Sequence, residues 1–167
     1  MKIADMYKQP GHLIRRAHQL STAVFMEEAK SISLTPVQFS ALTVICDRPG
    51  VDAKRVSDLI FFDPSTIGNV LDRLEKRGLI VRKRGLKDRR TKRLFLTPAG
   101  DAAIQKIVRR IPEVSRRILG PLSAQERRQF LSFLSRLVSA PEFAGKDKKK
   151  ASTALFAGAG QSNGRAG

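Results

Sequence analysis

The stretch DPSTIGNVLDRLEKRGLIVRKRGLKDRRTKRLFLTPAG, residues 63–100, carries the reading of the whole chain. Asp63 has the chemistry of a helix N-cap, and Pro64 fits the first helical position, where a missing N–H costs nothing. Ile67, Val70, Leu71 and Leu74 then recur at the spacing of one helix face, and Gly78 stops the helix after Arg77. Beyond Leu79 the period changes. LIVRKR and KRLFLT read as short strands around a polar connection, residues 85–91. Thr97-Pro98 opens the next helix. A capped helix beside an arginine-loaded hairpin suits the holding of duplex DNA through two grooves at once.

Upstream, Pro10-Gly11 ends a short arm, and Leu13, Ala17, Leu20 and Val24 mark a helix from His12 to about Lys30. Thr35 and Gln38 form a capping box around Pro36. The helix they open carries Phe39, Leu42, Ile45 and Cys46 and stops at Arg48-Pro49-Gly50. Asp52 caps a short helix holding Val56, Leu59 and Ile60. Downstream, Ile104, Ile107, Val108, Ile111, Val114 and Ile118 predict one long helix, kinked or locally stretched at Pro112. Ser123 and Glu126 form another capping box before a last helix with Phe130, Phe133, Leu134 and Leu137. After Pro141, lysine, glycine, alanine and serine dominate, with too little apolar surface to offset chain entropy. The expected fold is mainly α with a small β-wing. It comprises an N-terminal arm over 1–10, dimerisation helices over 11–34 and 98–140, a winged helix-turn-helix lobe over 35–97, and a disordered basic tail over 141–167.

Lys and Arg outnumber Asp and Glu by 32 to 15 among 167 residues, a net charge of +17. That excess predicts a polyanionic partner, because each neutralised phosphate releases counterions. A solvated surface or basic tail explains charge alone equally well, so placement has to decide. The single Cys46 excludes an intramolecular disulfide and fits a reducing cytoplasm. The opening MKIADMYKQPGHLIRR has no apolar stretch after its first lysine, and no apolar run reaches membrane-spanning length. Neither a secretory signal nor a membrane segment is expected.

Enzyme chemistry has little to work with: there is no nucleophile elbow, P-loop, HExxH or plausible carboxylate pair. His12 and His18 are off the spacing that clusters metal ligands, so neither metal nor cofactor is expected. A nonspecific nucleoid-type or RNA-binding protein would use an aromatic stacking platform, but Trp is absent and Tyr7 stands alone.

In the helix after Asp63, the N-terminal residues Ser65, Thr66 and Asn69 carry groups that pair with base edges. First-turn capping explains Ser65 and Thr66 too, if that helix is taken alone. Gly68 keeps the helix slim beside a sugar-phosphate wall. The hairpin brings Arg84, Lys87, Arg89, Arg90, Lys92 and Arg93, suited to the negative potential of a narrow minor groove. Asp88, two residues before Arg90, is expected to pair with it and set the guanidinium's direction, with a solvated turn holding a local salt bridge as the competing reading.

Together LTPVQFSALTVICDRPG, DPSTIGNVLDRLEKRGLIVRK and KDRRTKRLFLTPAG resemble the MarR family of bacterial transcription regulators, over roughly Gly11 to Ala140. The resemblance implies a symmetric homodimer built on the terminal helices and bound to a pseudo-palindromic operator of double-stranded DNA. By it Ser65, Thr66 and Asn69 face the major groove, Arg90 the minor groove with Asp88 orienting it, and Arg73 a phosphate or base. Charge and position add Lys54, Lys83 and Arg84 as phosphate contacts. Dimerisation also follows from helix faces too apolar for one lobe to cover.

Many members release DNA on binding a small phenolic or carboxylate ligand, and PGHLIRRAHQL with TPVQFSAL resembles a subgroup governing aromatic-acid breakdown. Arg15, His18 and Thr22 share a helix face able to hold a carboxylate, with Ser21 and Phe25 completing a mixed wall and Arg16 beside it. A solvent-facing or interface stripe is the competing reading of these residues. The reading is therefore of a repressor released by a small aromatic acid or its thioester. A redox-responsive regulator acting through Cys46 is an alternative; sharing a face with Phe39 and Leu42, that thiol is expected to be buried and inert.

Overall fold

The computed structural model describes residues 2–84 and 92–139. Its elements run α1 (Ile3–Met6), α2 (Pro10–Glu28), α3 (Pro36–Asp47), α4 (Ala53–Ile60), α5 (Pro64–Lys76), β1 (Ile80–Arg84), β2 (Lys92–Leu96), α6 (Pro98–Val108), α7 (Ile111–Leu119) and α8 (Ala124–Val138). This is a winged helix-turn-helix flanked by terminal helices, mainly α with a two-stranded wing.

Local chemistry starts the helices where the sequence places them. Thr35 Oγ1 accepts from the Gln38 amide while the Gln38 side chain accepts from the Thr35 amide, and Ser123 and Glu126 do the same before α8. Asp52 and Asp63 accept from the amides of Arg55 and Thr66. Gly78 adopts φ +68°, and two reverse-turn bonds close α5: Gly78 N–H to the Glu75 carbonyl and Leu79 N–H to the Leu74 carbonyl. The buried pair Leu74 and Leu79 seals this turn.

One core serves the lobe. Leu42 and Ile45 of α3, Val56 of α4, Ile67, Leu71 and Leu74 of α5, Ile80 of β1, Leu94 of β2 and Ile107 of α6 pack in a single cluster. Between α4 and α5 the chain turns at Phe61, whose φ of +58° is left-handed. That conformation costs a bulky residue about 1–2 kcal/mol. The buried Ser57 hydroxyl donates to the Phe62 carbonyl at 2.5 Å and steadies the turn. β1 and β2 pair antiparallel from Ile80–Leu96 to Arg84–Lys92, and Val51 adds a single bridge to Leu94.

Three expectations change. The arm's closing residue, Pro10, is instead the first residue of α2, where its lack of an N–H is harmless, and a short α1 precedes it. The single long helix is two, α6 and α7, broken at Arg109-Arg110. Pro112 cannot donate to the carbonyl of Val108, so the chain restarts with Pro112 in a first turn instead of bending through it. Cys46 is exposed, not buried. The buried stripe of α3 is Gln38, Ala41, Leu42 and Ile45, and Cys46 falls on its edge in the last turn.

α2 and α7 pack together, tied by Arg117, which pairs with Glu27 at 2.5 Å and Glu28 at 2.9 Å. α8 buries no residue at all. No helix of the described residues is long and apolar enough to cross a membrane.

Gly100 lies against the wing base, where an added Cβ would sit 2.0 Å from the Leu79 carbonyl oxygen. Gly100→Ala should therefore cost about 1–3 kcal/mol or more in urea unfolding. An unchanged midpoint would show that this junction yields freely.

Candidate nucleic-acid interface

The first turn of α5 is organised by Asp63. Its carboxylate accepts from the Thr66 amide at 2.8 Å and from the Ser65 hydroxyl at 2.6 Å. The Ser65 hydroxyl bond, followed by those from the Thr66 side chain and amide, holds this carboxyl well below the usual carboxylate range. The bonded form is the charged one, so the cap is complete at neutral pH and is lost only as pH falls through that lowered value. Ser65 has thus committed its hydrogen and presents lone pairs outward. Asn69, one turn on, is exposed and has no side-chain hydrogen bond among the described residues, leaving its amide free to donate and accept.

Gly68 faces open space, with nothing within 4 Å of where a Cβ would stand. Ile67, Val70, Leu71 and Leu74 are buried on the other side. Ser65, Asn69 and Arg73 therefore lie together on the outward face of the helix.

Asp72 and Glu75 also lie on α5, and an acid so near a phosphate would repel it. Arg82 of β1 pairs with both, at 2.7 and 2.6 Å, with only 19% of its side chain exposed. The sequence reading passed over Arg82. A signal was present: in a strand it shares the inward face with buried Ile80, and a charge pointing inward needs a partner.

Cations on the wing sit where local energetics disfavour them. Lys83 faces Arg93 across the ladder and Arg84 faces Lys92. Like charges directly opposite one another destabilise a sheet. Lys83 is relieved by the Phe95 ring 5.2 Å away, and Arg93 by the Gly50 carbonyl at 3.2 Å with Asp52 at 3.8 Å. Arg84, Lys92 and Arg73 have no ion pair among the described residues. Lys54 is exposed in the first turn of α4, at the end of the helix dipole that disfavours a cation. A surface that gathers uncompensated cations around a polar helix start has the form of a polyanion-binding face. Asp88 and Arg90 lie outside the described residues.

A family model described as MarR family matches residues 32–91. Over 141 residues the chain is 30% identical to the HTH-type transcriptional repressor NicR of Pseudomonas putida, covering 84% of this chain and 89% of that protein. The chain belongs to the MarR family. The structure of the PcaV regulator of Streptomyces coelicolor in complex with its natural ligand matches with a TM-score of 0.76 and 31% identity, covering 84% of this chain and 99% of that one. Bordetella bronchiseptica BpsR, solved to explain how 6-hydroxynicotinic acid regulates its DNA binding, matches with a TM-score of 0.75 and 29% identity, covering 80% and 96%. This MarR-family protein is accordingly a DNA-binding transcription regulator and not an enzyme.

The effector candidates do not close into one site within a single chain. Arg15, Arg16 and His18 are exposed on α2, with Arg15 Nη2 3.3 Å from His12 Nδ1. Ser21 donates to the His18 carbonyl, Thr22 is half-buried, and Phe25 is in the core, its ring centre 5.7 Å from that of Phe39. Phe39 in turn lines a mostly apolar cleft of about 540 Å³ on the outer face of α3, with Val44, Leu59, Ile60 and Phe61 as further walls. Ser40, Thr43, Asp47 and Arg48 form its polar edge. Cys46, although exposed, is not among the residues lining that cleft.

Gly68 separates structural from functional demands. Gly68→Ala should stabilise α5 by up to about 1 kcal/mol through helix propensity, because no neighbour objects. It should at the same time weaken operator binding, measured by fluorescence anisotropy. Equal or tighter binding would show that the groove wall does not approach this position.

Proposed function

We propose that this MarR-family regulator is a cytoplasmic homodimeric repressor, released from a pseudo-palindromic operator by a small aromatic carboxylate. The observation that carries the reading is the outward face of α5, where Asn69 keeps a free amide beside a wing whose cross-strand cations oppose one another. Asn69 pairs with an adenine edge, Ser65 accepts from an exocyclic amine, and Thr66 contacts the neighbouring base or sugar. Arg73, Lys54, Lys83 and Arg84 hold phosphates. Arg90, directed by Asp88, enters the minor groove. The repressor role is supported by the likeness to NicR.

Dimerisation is supported by apolar side chains that one chain leaves in water: Leu13 and Leu20 on α2, and Phe130, Phe133, Leu134 and Leu137 on α8. A helix with this face and no buried residue gains its stability from a partner surface. The half-sites then lie about 10 bp apart, one helical turn. Phe133, 61% exposed, is the probe. Phe133→Asp should convert the protein to monomer in light scattering and strongly weaken operator binding. A dimer that persists would place the interface elsewhere.

The effector reading is supported by BpsR, regulated by an aromatic acid, and by the cleft against Phe39. Its volume of about 540 Å³ accommodates one aromatic ring, and Arg48 at its edge, paired with Asp47 at 3.3 Å, exchanges that partner for the carboxylate of the ligand. Arg15 and His18, exposed on α2, add the cation and the second donor that a carboxylate takes. Arg15→Ala should leave operator affinity near that of the natural protein and abolish release by hydroxylated aromatic acids, with 6-hydroxynicotinic acid as the first probe. Undiminished release from the variant would remove Arg15 as the carboxylate anchor. Equal affinity for operator and scrambled duplex, at two salt concentrations, would refute sequence-specific reading altogether.

A further inference from the structure

The break between α6 and α7 leaves a second concave site that the DNA-reading face and the apolar cleft do not use. A hollow of about 450 Å³ is lined by Ser31, Ile32, Lys106, Arg109 and Arg110. None of its three cations has an ion pair or side-chain hydrogen bond among the described residues. Of the acids on the adjoining elements, Glu27 and Glu28 are taken by Arg117 and Glu113 by Arg116, and Asp101, in the first turn of α6, does not line the hollow. Like charges gathered in one hollow repel each other, and a bound anion removes that repulsion.

These cations are poorly placed to hold the operator. Ile32, in the wall of the hollow, accepts through its carbonyl from Arg77 at the C-cap of α5. The reading end of that 13-residue helix is about 20 Å away. The same loop gives the hollow a mechanical connection. Arg77 donates to the Ser33 carbonyl at 2.7 Å and to the Ile32 carbonyl at 2.8 Å, with Ser33 held at a φ of +54°. The wall of the hollow is therefore also the anchor of the recognition helix.

We infer that the hollow formed by Ser31, Lys106, Arg109 and Arg110 binds a small polyanion, a phosphoryl compound or polycarboxylate, and that Arg77 transmits its occupancy to the recognition helix. Two guanidinium groups and an ammonium match a ligand with at least two negative charges, and the Ser31 hydroxyl adds a neutral donor. A ligand that favours one setting of the Ser31–Ser33 loop shifts the position of α5 by that preference. Linkage then requires that the operator change the ligand's affinity by the same factor that the ligand changes the operator's.

The test uses the full chain with inorganic pyrophosphate and citrate at constant ionic strength, since operator binding depends on salt. Calorimetry should show saturable binding of pyrophosphate, one per chain, weakened at least about tenfold in the Arg109→Gln/Arg110→Gln variant. That variant should melt like the natural protein and bind operator equally well without pyrophosphate. In the natural protein, pyrophosphate should change operator affinity to a plateau, and Arg77→Gln should keep pyrophosphate binding while losing that change. Saturation by citrate as well assigns polyanions generally, and saturation by pyrophosphate alone assigns phosphoryl ligands. Absence of saturable binding, or undiminished binding in the double variant, overturns the site. An operator effect that never plateaus, or that survives in the double variant, places the anion on the DNA-reading face and overturns the coupling.

Discussion

The recognition helix, the wing and the return helix all meet at the carbonyls of Gly78 and Leu79. The Thr97 hydroxyl donates to Gly78 at 2.6 Å, and the Thr97 amide donates to Leu79 at 3.1 Å. Gly100 packs on that second carbonyl so closely that no side chain fits. Because Gly78 takes a positive φ, the chain reverses there and β1 runs back along α5. Because Thr97 caps α6 and bonds Gly78 together, β2 ends where α5 ended. The geometry of α5 and the wing is thereby fixed by a few backbone contacts, with Arg82 adding the lateral tie to Asp72 and Glu75.

Charge is distributed on this frame by function more than by stability. Asp72 and Glu75 of α5 are neutralised by a half-buried arginine, and the Asp63 carboxylate at the start of the helix is held by the Ser65 and Thr66 donors. Cations remain in places that folding alone disfavours: opposite each other on a ladder, and at the N-terminus of α4. Isolated ion pairs on such a surface contribute little. The Arg82 pairs act through position, by setting the angle of the wing to the helix.

Much of this was legible in the residues. The caps at Thr35, Asp52, Asp63, Thr97 and Ser123 are local chemistry, complete within three residues of chain, and each starts a helix where it was read. Periodicity of apolar residues separated α5 from the wing for the same reason. Cys46 misled because sharing a face with Phe39 and Leu42 does not say where the stripe's centre lies, and that centre falls on Gln38, Ala41, Leu42 and Ile45. The helix after Thr97 misled because apolar spacing runs unbroken through Pro112, while the missing hydrogen bond to Val108 ends the helix.

The sequence by itself determined the winged helix-turn-helix and its order of elements, because caps, glycine turns and periodicity act over a few neighbouring residues. Only the tertiary structure decided which charges were spent and which were left. Arg82 with Asp72 and Glu75, Arg77 with the Ile32 and Ser33 carbonyls, and Arg117 with Glu27 and Glu28 join residues from 7 to 90 positions apart. No local rule pairs such residues. Their pairing depends on where packing brings each backbone, and the same packing leaves Lys106, Arg109 and Arg110 around a hollow without an acid of their own.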